Sequence, residues 1–181
     1  MLSLLVALTA SPALAADTYK VDDSHSSVHF KVLHLGAGMT WGRFNTLSGS
    51  WSQEGNAPDA ITLTLETESV DSDNEKRDKH LRNADFFDAG QFPEITFTSQ
   101  SIKPAGDGVF KVAGDLTLHG VTKKVAFDLR HTGEGKDPWG GYRSGYEAEF
   151  TIQRSDFGMT YMADGVGDTV TLYVAIEGKQ K

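Results

Sequence analysis

Apolar and polar residues alternate along much of the chain from residue 27 onward. Between residues 110 and 118, Phe, Val, Gly, Leu and Leu occupy every second position, and Lys, Ala, Asp and Thr stand between them. A period of two residues is typical of a β-strand that buries one face. The same alternation predicts further strands in residues 28–32, 61–66, 95–98, 121–129, 146–153 and 169–177.

The number of predicted strands indicates the architecture. One more strand between residues 43 and 51 brings the count to about eight, which closes an antiparallel sheet into a barrel able to hold one small ligand. A tight hairpin is predicted at His119-Gly120, because Gly120 can take a positive φ. We therefore predict an all-β fold, an eight-stranded antiparallel β-barrel. A sandwich of two sheets is the alternative, because alternation does not show whether a sheet closes.

The longest interruption between strands covers residues 70–93. A connection of this length in a compact barrel usually carries a helix, a lid or a binding loop. Asp73 is the predicted N-cap of a short helix from Glu75 to Leu81. Arg77 and Leu81 then share one face, since residues four apart are neighbours on a helix. The charged residues of the segment either tie this helix to the barrel or face the head group of a ligand.

The inward-facing side of the predicted strands consists mainly of Phe, Val, Ile and Leu. Such a set either packs into a solid core or encloses an apolar cavity. Periodicity alone favours the solid core, because most apolar faces are core. Gly114 and Ala148 are small inward-facing residues that leave room, so an enclosed cavity remains the alternative hypothesis.

Composition and charge exclude several classes of function. The chain of 181 residues carries a formal net charge of −8, whereas nucleic-acid binding requires clustered Lys and Arg. We therefore expect no nucleic-acid partner. The chain has no cysteine, which excludes disulfides, thiol catalysis and thiolate-bound metals.

The first fifteen residues, MLSLLVALTASPALA, form an apolar run that ends in the small-x-small pattern Ala13-Leu14-Ala15. This pattern predicts a signal peptide over residues 1–15, with cleavage after residue 15 or 16, and a single domain over residues 17–181. The run departs from the signal-peptide pattern in one respect, since the positive charge usual at its start is missing. The alternative interpretation of these residues is a buried N-terminal strand. Export of a cysteine-free protein predicts the periplasm as its location.

The usual motifs for metal binding and catalysis are absent. Asp71, Asp73 and Glu75 resemble a calcium loop, but Lys76 and Arg82 stand where an EF-hand needs Gly and Glu. The chain has no HExxH, GxSxG or P-loop sequence. We therefore predict no metal site, no cofactor and no enzymatic activity. A hydrolase, the least supported alternative, would have to use residues from a set of His and Asp: His25, His34, His80, His119, Asp23 and Asp78.

Five longer segments carry a family resemblance. In chain order they are DDSHSSVHFKVLHLG, GRFNTLSGSW, KRDKHLRNADFFDAGQFPEITFTSQSI, VAGDLTLHGVTKKVAFDL and GYEAEFTIQRSDFGM. Together they resemble the YceI family of exported bacterial proteins over essentially the whole mature chain. The resemblance implies a lipocalin-like barrel whose tunnel holds an isoprenoid lipid, either a polyprenyl phosphate or an isoprenoid quinone. Burial of each CH₂ group is favourable by about 0.8 kcal/mol relative to water, so a prenyl tail needs an apolar binding site on a carrier to cross an aqueous compartment.

The resemblance turns the inward-facing apolar residues into candidates for the wall of the tunnel. These candidates are Val28, Phe30, Val32, Phe44, Leu63, Phe86, Phe87, Phe92, Phe97, Leu116, Phe127, Phe150, Ile152 and Leu172. Arg154 is the first candidate for binding the head group, because it shares the inward parity of Phe150 at a strand end. A buried ion pair with Asp156 is its alternative role. Arg77 and His80 are further head-group candidates.

The predicted function is that of a periplasmic binding or carrier protein for such a lipid. The alternative is an accessory protein that presents a bound quinone to a membrane electron-transfer partner of the cytochrome b type. Transient membrane contact is expected through the loop that holds Trp139 and Tyr142, since aromatic rings suit a membrane interface. Formation of a homodimer is a further hypothesis.

Overall fold

The computed structural model describes residues 16–181, and the predicted signal peptide over residues 1–15 lies outside the described residues. Almost all regular structure is extended, as the alternating pattern predicts. The strands are β1 (Asp17–Val21), β2 (Ser27–His34), β3 (Gly38–Phe44), β4 (Leu47–Glu54), β5 (Ala57–Glu66), β6 (Val70–Asp71), β7 (Glu94–Gly106), β8 (Val109–Leu118), β9 (Val121–Lys136), β10 (Tyr142–Gln153) and β11 (Val166–Gln180). The α-helix α1 covers Glu75–Leu81. Within residues 16–181, no helix has the length and apolar character needed to cross a membrane.

The strands form one closed antiparallel sheet. β1 and β2 pair with β4 and β3, respectively, and β5 and β6 pair with the same two strands on the other side. Strands β1 and β2 therefore share one position around the sheet, β3 and β4 share the next, and β5 and β6 share the third. β7 to β11 occupy the remaining five positions, and β11 pairs with both β10 and β1 to close the ring. The predicted eight-stranded barrel is confirmed, and the two-sheet sandwich is wrong.

The hairpin predicted between β8 and β9 is present. Leu118 pairs with Val121, and the two residues between them have φ values of 52° at His119 and 71° at Gly120. Two consecutive positive φ values are characteristic of the tight turns whose twist matches that of paired strands. The turn thus holds two neighbouring barrel strands in register.

Helix α1 lies in the long connection between β6 and β7, as predicted, but a different residue caps it. The side chain of Asn74 accepts a hydrogen bond from the backbone N–H of Arg77, and Asn74 has extended backbone angles. Asp73, the predicted cap, has a φ of 59° and precedes the cap. The prediction of Asp73 is therefore wrong by one residue, because Asp and Asn are equally good caps and the pattern cannot choose between neighbours.

The barrel has two different ends. The helix end holds the β2–β3 hairpin, α1 and the connection between β10 and β11, since Leu35 bonds Gly165 and the rings of His80 and Tyr161 lie 5.5 Å apart. The far end holds β1 and the β9–β10 hairpin, where Arg143 pairs with Lys179.

Aromatic side chains fill the interior at the far end. The rings of Tyr19 and Trp51 stack with centroids 5.4 Å apart, and Tyr146 meets Trp51 edge-on at 5.6 Å. The buried Gln53 accepts hydrogen bonds from the Trp51 indole at 2.8 Å and from the Tyr146 hydroxyl at 3.1 Å. Burial raises the pKa of Tyr146, so its phenol stays a neutral donor. This end of the barrel is solidly packed.

Gly114 does not leave the room that its small size suggested, because the ring of Phe97 covers it. A Cβ atom at Gly114 would lie 2.4 Å from the backbone oxygen of Thr98 and 2.6 Å from the Phe97 ring. A backbone oxygen in a paired strand cannot move away easily. We expect Gly114→Ala to lower the free energy of unfolding by about 1–3 kcal/mol through overpacking, measured by urea denaturation. Gly135→Ala, which meets nothing within 4 Å, is the matched control and should have a much smaller effect.

Candidate functional site

A cavity of about 160 Å³ lies inside the barrel toward the helix end. Its wall is formed by inward-facing residues of the barrel strands, together with Leu81 of α1 and residues of the adjoining loops. Thr96 and Arg154 are the polar residues among those that line it. The packed aromatic residues of the far end do not contribute to the wall. The cavity is thus an apolar chamber closed at one end.

Several inward-facing side chains are less buried than core residues normally are. Leu63, Phe127, Phe150, Leu172 and Val174 line the cavity and are only half-buried. Part of their surface therefore faces open space inside the barrel instead of neighbouring side chains. In a close-packed core these positions would be filled. The structure answers the question that periodicity left open, since this half of the interior encloses a cavity.

The predicted wall residues are found in the wall, with one exception. Phe92 does not line the cavity, because its ring packs against His119, with centroids 4.7 Å apart, and covers Gly120. The predicted residues that line the cavity are Val28, Phe30, Val32, Phe44, Leu63, Phe86, Phe87, Phe97, Leu116, Phe127, Phe150, Ile152 and Leu172. The sequence prediction did not include further lining residues, most of which share the inward parity: Ile61, Leu65, Leu81, Ile95, Thr96, Leu118, Leu129, Ala148, Met159, Val166, Val170, Val174 and Ile176.

Arg154, the first head-group candidate, lies in the cavity wall and is 5% exposed. Its guanidinium donates hydrogen bonds to the backbone oxygens of Gly167 at 3.0 Å, Met159 at 2.6 Å and Val166 at 2.9 Å. These acceptors are neutral, so the hydrogen bonds leave the positive charge without a carboxylate partner among residues 16–181. The suggested ion pair with Asp156 is not formed.

The electrostatics of Arg154 follow from this position. Desolvation by burial lowers its pKa, and the charge of Asp168 acts in the opposite direction. Asp168 itself accepts hydrogen bonds from the backbone N–H and the hydroxyl of Ser155, at 2.8 Å and 2.7 Å. Because an arginine side chain does not lose its proton in proteins, one buried positive charge lies directly behind the apolar surface of the cavity.

The other two head-group candidates lie outside the cavity wall. Arg77 donates from Nε to the Ser72 hydroxyl at 2.7 Å and from Nη2 to the Ser72 backbone oxygen. The buried carboxylate of Asp78 accepts from the Ser72 backbone N–H at 2.8 Å. His80 lies 2.8 Å from a carboxylate oxygen of Asp85. These contacts hold α1 against Ser72 before it and Asp85 after it. This is the structural role that the sequence analysis left open for the charged residues of the segment.

Comparison with known proteins places this barrel in a family. The family model described as the YceI-like domain matches residues 19–178. The chain belongs to the YceI family. A UPF0312 protein of Ectopseudomonas mendocina is 43% identical over 176 residues, which cover 95% of this chain and 92% of that protein. A UPF0312 protein of Yersinia pestis is 42% identical over 95% of this chain and 91% of its own length.

Several solved structures share the barrel fold. BcnA of Burkholderia cenocepacia has a TM-score of 0.79 at 23% identity, covering 87% of this chain and 98% of BcnA. The YceI protein of Campylobacter jejuni has a TM-score of 0.73 at 28% identity, covering 82% and 90% of the two chains. A polyisoprenoid-binding domain from Saccharophagus degradans, implicated in plant cell wall breakdown, has a TM-score of 0.70 at 17% identity, covering 90% and 98%.

The histidines of this YceI family member do not assemble into a relay. His25 is the one closest to a triad, with Ser24 Oγ at 3.1 Å and an Asp22 carboxylate oxygen at 3.0 Å. Both contacts are made to the same ring nitrogen, Nδ1, whereas a relay needs a nucleophile on one nitrogen and an acid on the other. His119 contacts the backbone oxygen of Phe157 at 3.2 Å. Membership of the YceI family indicates a binding protein.

One cluster in the described residues has the composition of a metal site, namely Asp22, His25 and Glu177. Lys179 lies 2.8 Å from the Asp22 carboxylate, and Arg143 contacts both Asp22 and Glu177. The hydrogen bond from Lys179, followed by that from Ser24, holds the pKa of Asp22 well below its usual range. The carboxylates are thus already compensated by cations, and the cluster ties β1, β10 and β11 together at the far end.

Proposed function

We propose that this YceI family member binds an isoprenoid lipid inside its barrel, whose half-buried wall residues move apart to admit a chain larger than the 160 Å³ cavity, and that it carries this lipid through the periplasm. The observation that carries the proposal is the chemistry of the cavity wall, whose surface is apolar even where Thr96 and Arg154 contribute to it. Burial of a prenyl tail gains about 0.8 kcal/mol for each CH₂. Ligand pockets commonly combine an apolar lining with a few polar groups that fix the orientation of the ligand.

Arg154 supports an anionic head group as the polar part of the ligand. Its charge is buried beside the cavity and its hydrogen-bond acceptors are neutral. A phosphate would place a negative charge within hydrogen-bond reach of the guanidinium, on which Asp168 acts only through its charge, and arginine is the residue best suited to bind phosphate. We therefore favour a polyprenyl phosphate over a quinone, whose carbonyl oxygens would only accept a hydrogen bond. The domain from Saccharophagus degradans that is named as polyisoprenoid-binding shares the barrel fold and agrees with this ligand class.

The periplasmic location is part of the same proposal. It is supported by the apolar N-terminal run that ends in Ala13-Leu14-Ala15. A carrier is needed there, because the aqueous space between two membranes is a barrier to a prenyl tail.

Mass spectrometry of the protein purified from its native cells tests the proposal. Extraction with organic solvent should release an isoprenoid in about one-to-one ratio, since a closed barrel of this size holds one small ligand. A polyprenyl phosphate would establish the carrier function. An isoprenoid quinone would favour the alternative, presentation of a quinone to a membrane cytochrome b-type partner. Extracts that contain no lipid, although the protein was never exposed to detergent, would contradict both functions.

A further inference from the structure

Five large apolar side chains are exposed together at the helix end of the barrel. They are Leu33, Leu35 and Met39 of the β2–β3 hairpin, and Tyr161 and Met162 of the connection between β10 and β11, with exposed fractions between 39% and 60%. We call these five residues the mouth patch. Clustered apolar exposure at one place on a surface commonly marks an interaction site.

The mouth patch is continuous and borders the cavity. Leu33 pairs with Met39 across the hairpin, and the Leu35 N–H donates to the Gly165 oxygen at 2.7 Å. A Cβ atom on Gly165 would lie 2.7 Å from the Met162 side chain and 3.3 Å from that of Leu35, so the two loops meet there.

The cavity wall begins directly beside the patch. The ring of Tyr161 lies 5.3 Å from that of Phe86, which lines the cavity. On the other side, Val166 lines the cavity and pairs with His34, next to Leu35. An apolar path therefore leads from the exposed patch to the interior.

Two residues of the patch are held in a backbone conformation that does not suit them. Leu35 has a φ of 51° and Met162 a φ of 55°, both in the left-handed region. Gly and Asn take this conformation at lower cost than large side chains do. Since both side chains are largely exposed, with 60% of Leu35 and 45% of Met162 accessible, they add little to the core. Strain of this kind at exposed residues points to a function.

The charges near the patch indicate the kind of partner. Helix α1 presents exposed Lys76 and Lys79, and the ion pairs of this segment involve His80 and Arg82 instead, which leaves the two lysines unpaired within residues 16–181. The whole chain carries a net charge of −8, and exposed Glu75 on the same helix offsets one of the two lysines. Lysine near a membrane surface attracts anionic head groups. Asp164 belongs to the same loop as Tyr161, so apolar contact must supply most of the attraction.

We propose that the mouth patch docks on the surface of a lipid bilayer, where the cavity takes up or releases its lipid. The inference rests on the proposed carrier function and adds the site of membrane contact. It differs from the contact predicted from the sequence, which was the loop of Trp139. That loop lies at the far end, because β10 begins beside it at Tyr142 and reaches the cavity end at Gln153.

The test compares binding of purified protein to vesicles of phosphatidylethanolamine and phosphatidylglycerol by co-sedimentation. The double variant Leu35→Asn with Met162→Asn should bind at least tenfold more weakly than the unchanged protein. Its thermal midpoint should be unchanged or higher, because Asn suits the left-handed backbone. Trp139→Asn is the matched control, since Trp139 is 82% exposed, and its vesicle binding should stay the same.

Loading of a polyprenyl phosphate from detergent micelles separates the docking proposal from the carrier function. At equilibrium both variants should bind as much lipid from micelles as the unchanged protein, because their substitutions lie outside the cavity wall. If the unchanged protein loads from micelles but does not sediment with vesicles, docking is overturned and the carrier function stands. Loss of vesicle binding in Trp139→Asn with full binding by the double variant also overturns the mouth patch. If the unchanged protein loads no lipid, the carrier function fails and docking fails with it.

Discussion

Arg154→Met should weaken the binding of a polyprenyl phosphate at least tenfold while changing the binding of the corresponding uncharged polyprenol much less. Arg154 is the one charged residue among the described residues that line the cavity, and its buried guanidinium is bonded to three neutral backbone oxygens behind the apolar surface. A charge-assisted bond to phosphate is therefore the interaction that the substitution removes. Methionine keeps the length and the apolar stem of the side chain. Titration calorimetry or native mass spectrometry with both lipids measures the two affinities.

The same substitution should also destabilise the protein. Three backbone oxygens lose their donor, and an unsatisfied buried acceptor costs about 1–3 kcal/mol. We expect the free energy of unfolding to fall by about 3 kcal/mol, measured by urea denaturation, so affinities must be measured well below the unfolding transition. The ratio of the two lipid affinities within one variant is insensitive to that loss of stability.

Arg154→Lys is the control for charge. A single ammonium group cannot reach all three oxygens, so stability should remain low, whereas the preference for phosphate over alcohol should be largely restored. Equal loss of affinity for both lipids in Arg154→Met would contradict a head-group role. Arg154 would then only hold the connection between β10 and β11 in place.

The wall of the cavity could be predicted largely from parity. Along β10, the side chains of Phe150 and Ile152 alternate with Thr151 and Gln153, and the structure places the first two in the wall. The rule depends on a strand, because only a pleated backbone sends alternate side chains to opposite faces. Phe92 lies in a loop where no such rule applies, and it packs against the β8–β9 turn instead.

The hollow interior could not be predicted from parity. Side chains such as Leu63 and Leu172 have the pattern of core residues, and the spacing of the strands around the ring decides whether they meet. The family resemblance, not the alternation, implied an occupied tunnel.

The hydrogen-bond partners of Arg154 could not be predicted from the sequence. They are the backbone oxygens of Met159, Val166 and Gly167, and every residue has such an oxygen. The nearby Asp156 was the natural suggestion because carboxylates are visible in a sequence. The mouth patch could not be predicted for a different reason. Leu35 and Met162 lie in loops, where the residue type does not indicate whether the side chain is exposed.

Ala148→Phe should abolish binding of a long isoprenoid while the barrel remains folded. Ala148 lines the cavity and pairs with Leu129 on one side and Val174 on the other, both of which line it too. A phenyl ring at this position must enter the chamber, where it occupies space that a prenyl chain would need. Measured with a polyprenyl phosphate delivered from micelles, the affinity should fall by well over tenfold.

The stability of this variant distinguishes blocking from unfolding. If the ring fits the cavity, the newly buried apolar surface contributes up to about 2 kcal/mol, and the free energy of unfolding rises or stays the same. Overpacking would instead lower it by about 1–3 kcal/mol. Ala126→Phe is the matched control, because Ala126 is an exposed residue of β9 with outward parity. It should bind lipid normally. A folded Ala148→Phe protein that still binds the lipid with unchanged affinity would show that the ligand lies outside the chamber, since a filled cavity cannot hold it.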